Sequence, residues 1–168
     1  ARSVVEVVNF TTGEVRRLTS RYNHRQTSSE WHDVDRVAPG EYLVADMADN
    51  AVYRLDTETE TIEWIWRAKD YYHPATGGPY PGDWTHLNDV EKLPDGRVMV
   101  SMRNHDQVLF LDPESGTVVE EDTLGSDGAH EIMYEQHNPD YIPESNGGPA
   151  VVIADSQNQR IVEYQRVG

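Results

Sequence analysis

Short runs in which apolar and polar residues alternate, separated by clusters of Gly, Pro, Asn and Asp, fill almost the whole of this 168-residue chain. Nowhere does a 3.6-residue apolar period persist long enough to predict a sizeable helix, so the pattern predicts an all-β protein. Val4-Val5-Glu6-Val7-Val8-Asn9-Phe10, the Thr12-Gly13 turn and Glu14-Val15-Arg16-Arg17-Leu18 read as a hairpin. Thr61-Ile62-Glu63-Trp64-Ile65-Trp66 has the alternation of an outer, half-exposed strand. Tyr71 to Asp83 is too rich in proline and glycine for helix or strand and is expected as an irregular excursion.

The alternating runs repeat. Trp31-His32-Asp33-Val34, Leu87-Asn88-Asp89-Val90 with His86 just before it, and Ala129-His130-Glu131-Ile132 open three similar units. Val37 to Val44 lies over Leu93 to Val100, with glycine in the same turn slot; Asn50 to Asp56 lies over Asp106 to Asp112, and Gln159 to Tyr164 fits that slot again. Repeats of roughly 40–50 residues, each with several short strands, are the signature of propeller blades. The expected architecture is a β-propeller of four-stranded antiparallel blades, with about three to three and a half blades present. Half a blade spans 1–19, blades span 31–67 and 85–124, and an incomplete blade spans 129–168. Gln136 to Pro149 is expected as a loop stretching the third repeat, because Asn-Pro-Asp and Gly-Gly-Pro are turn signals. Partial propellers expose raw sheet edges, which predicts self-association or a missing remainder of the propeller.

Charge narrows the partners. Thirty Asp and Glu against fourteen Lys and Arg give a net charge of −16, and only Lys69 and Lys92 are lysines. No basic stripe exists to neutralise phosphates, so nucleic acid is not an expected partner. A dispersed acidic, lysine-poor surface suits a high-salt organism, where screening removes ordinary repulsion. There are no cysteines, hence no disulfides and no thiolate metal site. No long apolar run or targeting segment stands out. Asn9-Phe10-Thr11 matches the glycosylation acceptor pattern.

Thr85-His86-Leu87-Asn88-Asp89-Val90 followed by Asp95-Gly96-Arg97-Val98-Met99-Val100-Ser101-Met102-Arg103-Asn104 resembles the His-x-Asn strand and Ser-x-Arg element of the arylsulfate sulfotransferases. Trp31-His32-Asp33 resembles the His-Asp of an earlier blade of that family. Ala129-His130-Glu131 resembles its later Gln-His-Asp segment, and Ala154 to Asn158 resembles its Asp-Asn-Gly-type turn. The resemblance implies a six-bladed propeller that moves a sulfuryl group from a phenolic sulfate ester to a phenolic acceptor, through a sulfohistidine and without a nucleotide sulfate donor. It implies no cofactor or metal, and an extracytoplasmic or cell-surface setting. Carried over residue by residue, His130 is the expected nucleophile. Arg103 and Asn88 are expected to hold the sulfuryl oxygens, and His86 and His32 to move the phenolic protons.

A neutral imidazole is nucleophilic at neutral pH, and a fixed guanidinium stabilises charge spreading over non-bridging oxygens, so these residue types suit that chemistry. The competing class is a non-catalytic propeller acting as a cell-surface binding or assembly module, in which polar residues near the axis only cap strand ends. A metal-dependent hydrolase ranks last, because an arginine beside a cation is a poor fit. His24, His73, His105 and His137 fall in turns or insertions and are expected as solvated side chains. Asp56 and Asp112 are expected as hairpin residues. Tyr71, Tyr72, Tyr80 and Trp84 are expected either as an aromatic rim for a phenol or as packing.

Overall fold

A computed structural model describes residues 2–23 and 28–166, and its strands form four antiparallel sheets. β1 (Arg2–Val8) and β2 (Val15–Tyr22) make a hairpin. β3 (Trp31–Ala38), β4 (Glu41–Asp46), β5 (Ala51–Asp56) and β6 (Thr61–Arg67) form a four-stranded sheet in chain order. β7 (Leu87–Lys92), β8 (Val98–Met102), β9 (Gln107–Leu111) and the two-residue β10 (Leu124–Gly125) form the next. β11 (His137–Ile142), β12 (Ala150–Asp155) and β13 (Arg160–Gln165) form a three-stranded sheet. This is the all-β, blade-by-blade architecture of a partial propeller.

Turn chemistry sets the hairpins. The carboxylates of Asp56 and Asp112 each accept two backbone N–H bonds from the turn that follows, Glu58 and Thr59 in one case and Glu114 and Ser115 in the other. Those bonds hold both carboxyls below the usual aspartate range. The apolar faces of neighbouring sheets supply the core. Leu43, Val52 and Trp66 of the first four-stranded sheet pack with Leu87, Val100 and Leu109 of the second, which in turn meets Val151 and Ile153 of the third through Met99 and Phe110.

The innermost strands are also stitched through their edges. Asp33 and Asp35 on β3 accept the backbone N–H groups of Val90 and Lys92 on β7, at 3.0 and 2.9 Å. Glu91 on β7 accepts that of Tyr141 on β11 at 3.2 Å. Amides that an inner strand would leave unpaired at the axis are thus satisfied by carboxylates of the preceding blade.

Two sequence expectations change. Gln136–Pro149 is not simply a loop: it contains β11, the inner strand of the third repeat. Pro139 disguised it, and a β-bulge between His137 and Asp140 explains why proline is tolerated there, since a bulged residue gives no ladder hydrogen bond. Ala129–Ile132, expected to open that repeat, is a turn instead, closed by Ile132 N–H to Ala129 O. The excursion from Tyr71 to Asp83 is irregular as expected, but it is packed: Trp84 at its end is buried, and its Nε1 donates to Thr76 O at 2.7 Å.

Candidate functional site

Each inner strand carries a bulge near its start, between Trp31 and Asp33, between Leu87 and Asp89, and between His137 and Asp140. An extra residue re-aims side chains, and at this level three imidazoles gather. The ring of His32 lies 5.5 Å from that of His86, which lies 6.3 Å from that of His137. His86 is held at φ 46°, an uncommon conformation for a non-glycine residue.

Hydrogen bonds orient two of these rings. His86 Nδ1 lies 2.8 and 2.9 Å from the two carboxylate oxygens of Asp83. Arg103 Nη1 lies 3.2 Å from the same nitrogen. One nitrogen cannot donate to the carboxylate and accept from the guanidinium, and the two short carboxylate contacts assign it the proton. That leaves Nε2 as the His86 nitrogen that can take up or give a further proton. His137 Nδ1 lies 2.9 Å from Ser156 Oγ, whose hydroxyl is also within 3.3 Å of Ala154 O, and the ring has a further hydrogen bond to the Glu135 backbone. Burial, and then the nearby Arg103, His86 and His32, hold His137 below the ordinary imidazole pKa.

Arg103 follows β8 directly, where the equivalent turn positions carry Met47 and Ser156. Its Nη2 donates to Glu135 Oε2 at 2.6 Å and its Nη1 to Asn104 Oδ1 at 3.2 Å, while Gln157 Nε2 donates to the same Glu135 oxygen at 3.0 Å. Arg103 Nε is buried with no hydrogen-bond partner, as are Asn88 Oδ1 and Gln136 Oε1. Asn88 Nδ2 donates to Gln136 O at 2.8 Å, and Gln136 Nε2 donates to Ser101 Oγ and Gln107 O. Asn88 thus grips the residue that precedes His137.

Of the expected site residues, His32, His86 and Arg103 come together, with Asn88 buried beside them. His130 does not join them. It sits in the Ala129–Ile132 turn, half its side chain exposed, stacked on Tyr134 at 3.8 Å with Nε2 3.4 Å from Asp106. It lines a neighbouring cleft of about 400 Å³ that also borders Arg103 and Asp83. His137, expected as a solvated loop residue, belongs to the imidazole cluster instead. His105, expected likewise, is fully buried, with Nε2 3.1 Å from Thr76 Oγ1 and its ring edge-on to Tyr72 and Trp84; burial lowers its pKa. His73 is exposed as expected, and His24 lies outside the described residues. Sequence reasoning missed Asp83, Glu135 and His137. The available signal was glutamine: Gln136-His137 carries the Gln-His pair of the resemblance, whereas Ala129-His130 does not.

The family described as Arylsulfotransferase (ASST) matches residues 73–166, which hold His86, Asn88, Arg103 and His137. The chain belongs to the arylsulfotransferase family. No curated protein matches it. Among solved structures it is similar to an auxiliary nutrient binding protein from Bacteroides thetaiotaomicron, at 15% identity and a TM-score of 0.59, covering 96% of this chain and 43% of that one. It is also similar to virginiamycin B lyase from Staphylococcus aureus, at 8% identity and a TM-score of 0.52, covering 100% and 47%. A catalytically inactive form of that lyase with quinupristin gives 12% and 0.53, covering 97% and 48%. At these identities the likeness establishes the propeller fold alone. The chain spans about half the length of the structures it matches.

Proposed function

We propose that this arylsulfotransferase-family chain carries a sulfuryl-transfer site, with a phenolic sulfate ester as donor, a phenol as acceptor and a sulfohistidine between them. The observation that supports this most is the meeting of three imidazoles, two in inner strands β3 and β11 and His86 just ahead of β7, beside a guanidinium with an uncommitted Nε. His137 takes the nucleophile's role in place of His130, because it stands inside that cluster, is kept neutral by its surroundings and offers Nε2.

In the first half-reaction His137 Nε2 attacks sulfur. The N–S bond forms as the S–O(aryl) bond breaks, and the phenolate leaves with the bonding pair. Protonated His86 or His32 supplies the phenol's proton. In the second half-reaction the acceptor phenol gives its proton to the same imidazole pair and its oxygen displaces His137 from sulfur. The Arg103 guanidinium, beside His86, stabilises the non-bridging oxygens, where charge grows in the transition state. Asp83 and Glu135 hold His86 and Arg103 in place. A high-salt habitat fits the charge of −16, and the extracytoplasmic setting is what the family resemblance implies.

Intact-mass analysis of the full chain after incubation with 4-nitrophenyl sulfate, with nitrophenol release followed by absorbance, tests the reading. A burst with a sulfuryl adduct that maps to His137, lost in His137→Ala and kept in His130→Ala, supports it. An adduct on His130 refutes the nucleophile assignment. No burst and no adduct from folded protein favours a non-catalytic binding or assembly module.

A further inference from the structure

A second cleft, of about 360 Å³, opens between the β4–β5 turn, the end of β6 and the excursion. We infer that it is a binding site for an aromatic anion, a ligand with a flat apolar body and one sulfate-like charge, separate from the imidazole cluster.

Fourteen Lys and Arg stand against thirty Asp and Glu, and several are committed to ion pairs while Arg2, Arg16, Arg36 and Lys92 stand away from this cleft without one among the described residues. Among the described residues, Arg17, Arg21, Arg54, Arg97, Arg103 and Arg160 are all paired with carboxylates. Arg67 and Lys69 both face this cleft, and no carboxylate in the described residues pairs with either. Lys69 is one of only two lysines in a chain of net charge −16. The cleft's one carboxylate, Asp49, is already committed to Arg21 at 2.7 Å. Two unneutralised cations side by side on so acidic a surface leave a local positive spot that attracts an anion.

Aromatic surfaces stand beside the charge. The Arg67 guanidinium lies 4.4 Å over the ring of Trp64, which remains 38% exposed. Tyr80, 53% exposed, meets the buried Trp84 edge-on at 5.1 Å. A ring seated between Trp64 and Tyr80 would bury apolar surface and leave its anionic group within reach of Arg67 and Lys69.

The cleft is built into the fold rather than borrowed from mobile chain. Asn50, buried at φ 51°, accepts both Thr85 N–H and Thr85 Oγ through its side-chain oxygen, and its carbonyl accepts Ala68 N–H at 3.0 Å. These three bonds join the turn, the end of β6 and the excursion. Thr85 is also next to His86, so a ligand here sits one residue's breadth from the element that carries the site.

Calorimetric titration with 1-naphthyl sulfate tests the inference, in a background where the imidazole site is disabled by Arg103→Gln. One equivalent is expected to bind, and adding Arg67→Gln and Lys69→Gln is expected to weaken it at least tenfold. Neutral 1-naphthol should bind at least tenfold more weakly than the sulfate. His137→Ala with the same pair of substitutions gives a second background. Absence of binding in both backgrounds, or binding indifferent to Arg67→Gln and Lys69→Gln, overturns the inference. Neither result bears on the sulfuryl adduct, which is measured at His137.

Discussion

Asp89 sits where the inner-strand stitching has lost a stitch. Asp33, Asp35 and Glu91 each accept a backbone N–H from the next inner strand, and Glu91 reaches Tyr141. Two residues back from Glu91 and Tyr141 in the sequence stand Asp89 and Pro139, and proline has no N–H to give. Burial first, and then crowding by Asp33, Glu91, Asp140 and Asp35, pushes the Asp89 carboxyl up to about 8. Its neighbour Glu91 is raised by burial as well.

The sign follows from linkage. Below about pH 4 Asp89 is protonated in both folded and unfolded chains and makes no difference. Between that point and pH 8 the unfolded chain ionises while the folded one does not, so stability falls as pH rises, and it levels off above pH 8. At about 1.4 kcal/mol per unit, the span from about 4 to 7 would cost roughly 4 kcal/mol if nothing relaxed. Water access to a partly exposed carboxyl reduces this to about 1–2 kcal/mol. Asp89→Asn should therefore raise Tm by roughly 3–8 °C at pH 7.5 and leave it unchanged at pH 4. Pro139→Ala, which restores the N–H while keeping the carboxyl, should flatten the same pH slope. Thermal unfolding of the three proteins from pH 4 to pH 9 measures both. An Asp89→Asn shift of equal size at pH 4 and pH 7.5, or a loss of stability at pH 7.5, would refute the reasoning.

Other outcomes follow from the same contacts. Arg103→Lys keeps the charge but loses the fork that engages Glu135 and the free Nε; sulfuryl transfer should fall about 100-fold with far-ultraviolet dichroism unchanged. Asp83→Asn removes the negative charge beside His86 and turns one of its two acceptor oxygens into a donor, so kcat should fall and the pH–rate profile should shift, whereas a merely structural role would leave the profile in place. Gly77→Ala puts a Cβ into the His105 ring at a backbone φ of +65°, and should cost about 2 kcal/mol in denaturant unfolding. Trp84→Ala empties a site with 1% exposure and should cost about 3–5 kcal/mol.

The period-2 alternation made the first two blades legible almost to the residue, because each inward face is continuous: Leu43 and Val52 in one, Val100 and Leu109 in the other. It failed at β11 for a local reason. His137-Asn138-Pro139-Asp140 carries its turn-like residues inside a bulge, so composition signals a loop where tertiary pairing makes a strand. His130 was put at the axis by that misreading, since a repeat anchored seven residues too early sets it where the structure has His137. Asp83 and Glu135 were invisible for another reason. They belong to connections, and only the fold brings an excursion and a turn against His86 and Arg103.

The three bulges explain why chemistry and stability can share the same strands. Just below the bulge, β3 and β7 return to regular register, and Asp33, Asp35 and Glu91 accept the next strand's amides, a use that requires fixed spacing. At the bulge the ladder is broken, so a side chain there is released from pairing geometry and can turn toward its counterparts. His32 and Asn88 occupy that released position in β3 and β7, and His137 opens the bulge in β11. A substitution that removed the bulge would shift every residue above it to the opposite face, separating the imidazoles while leaving the stitches beneath intact. Deleting Asn138 should therefore abolish the His137 adduct yet preserve the Asp89-dependent pH slope, and loss of both together would show that the two levels are not independent.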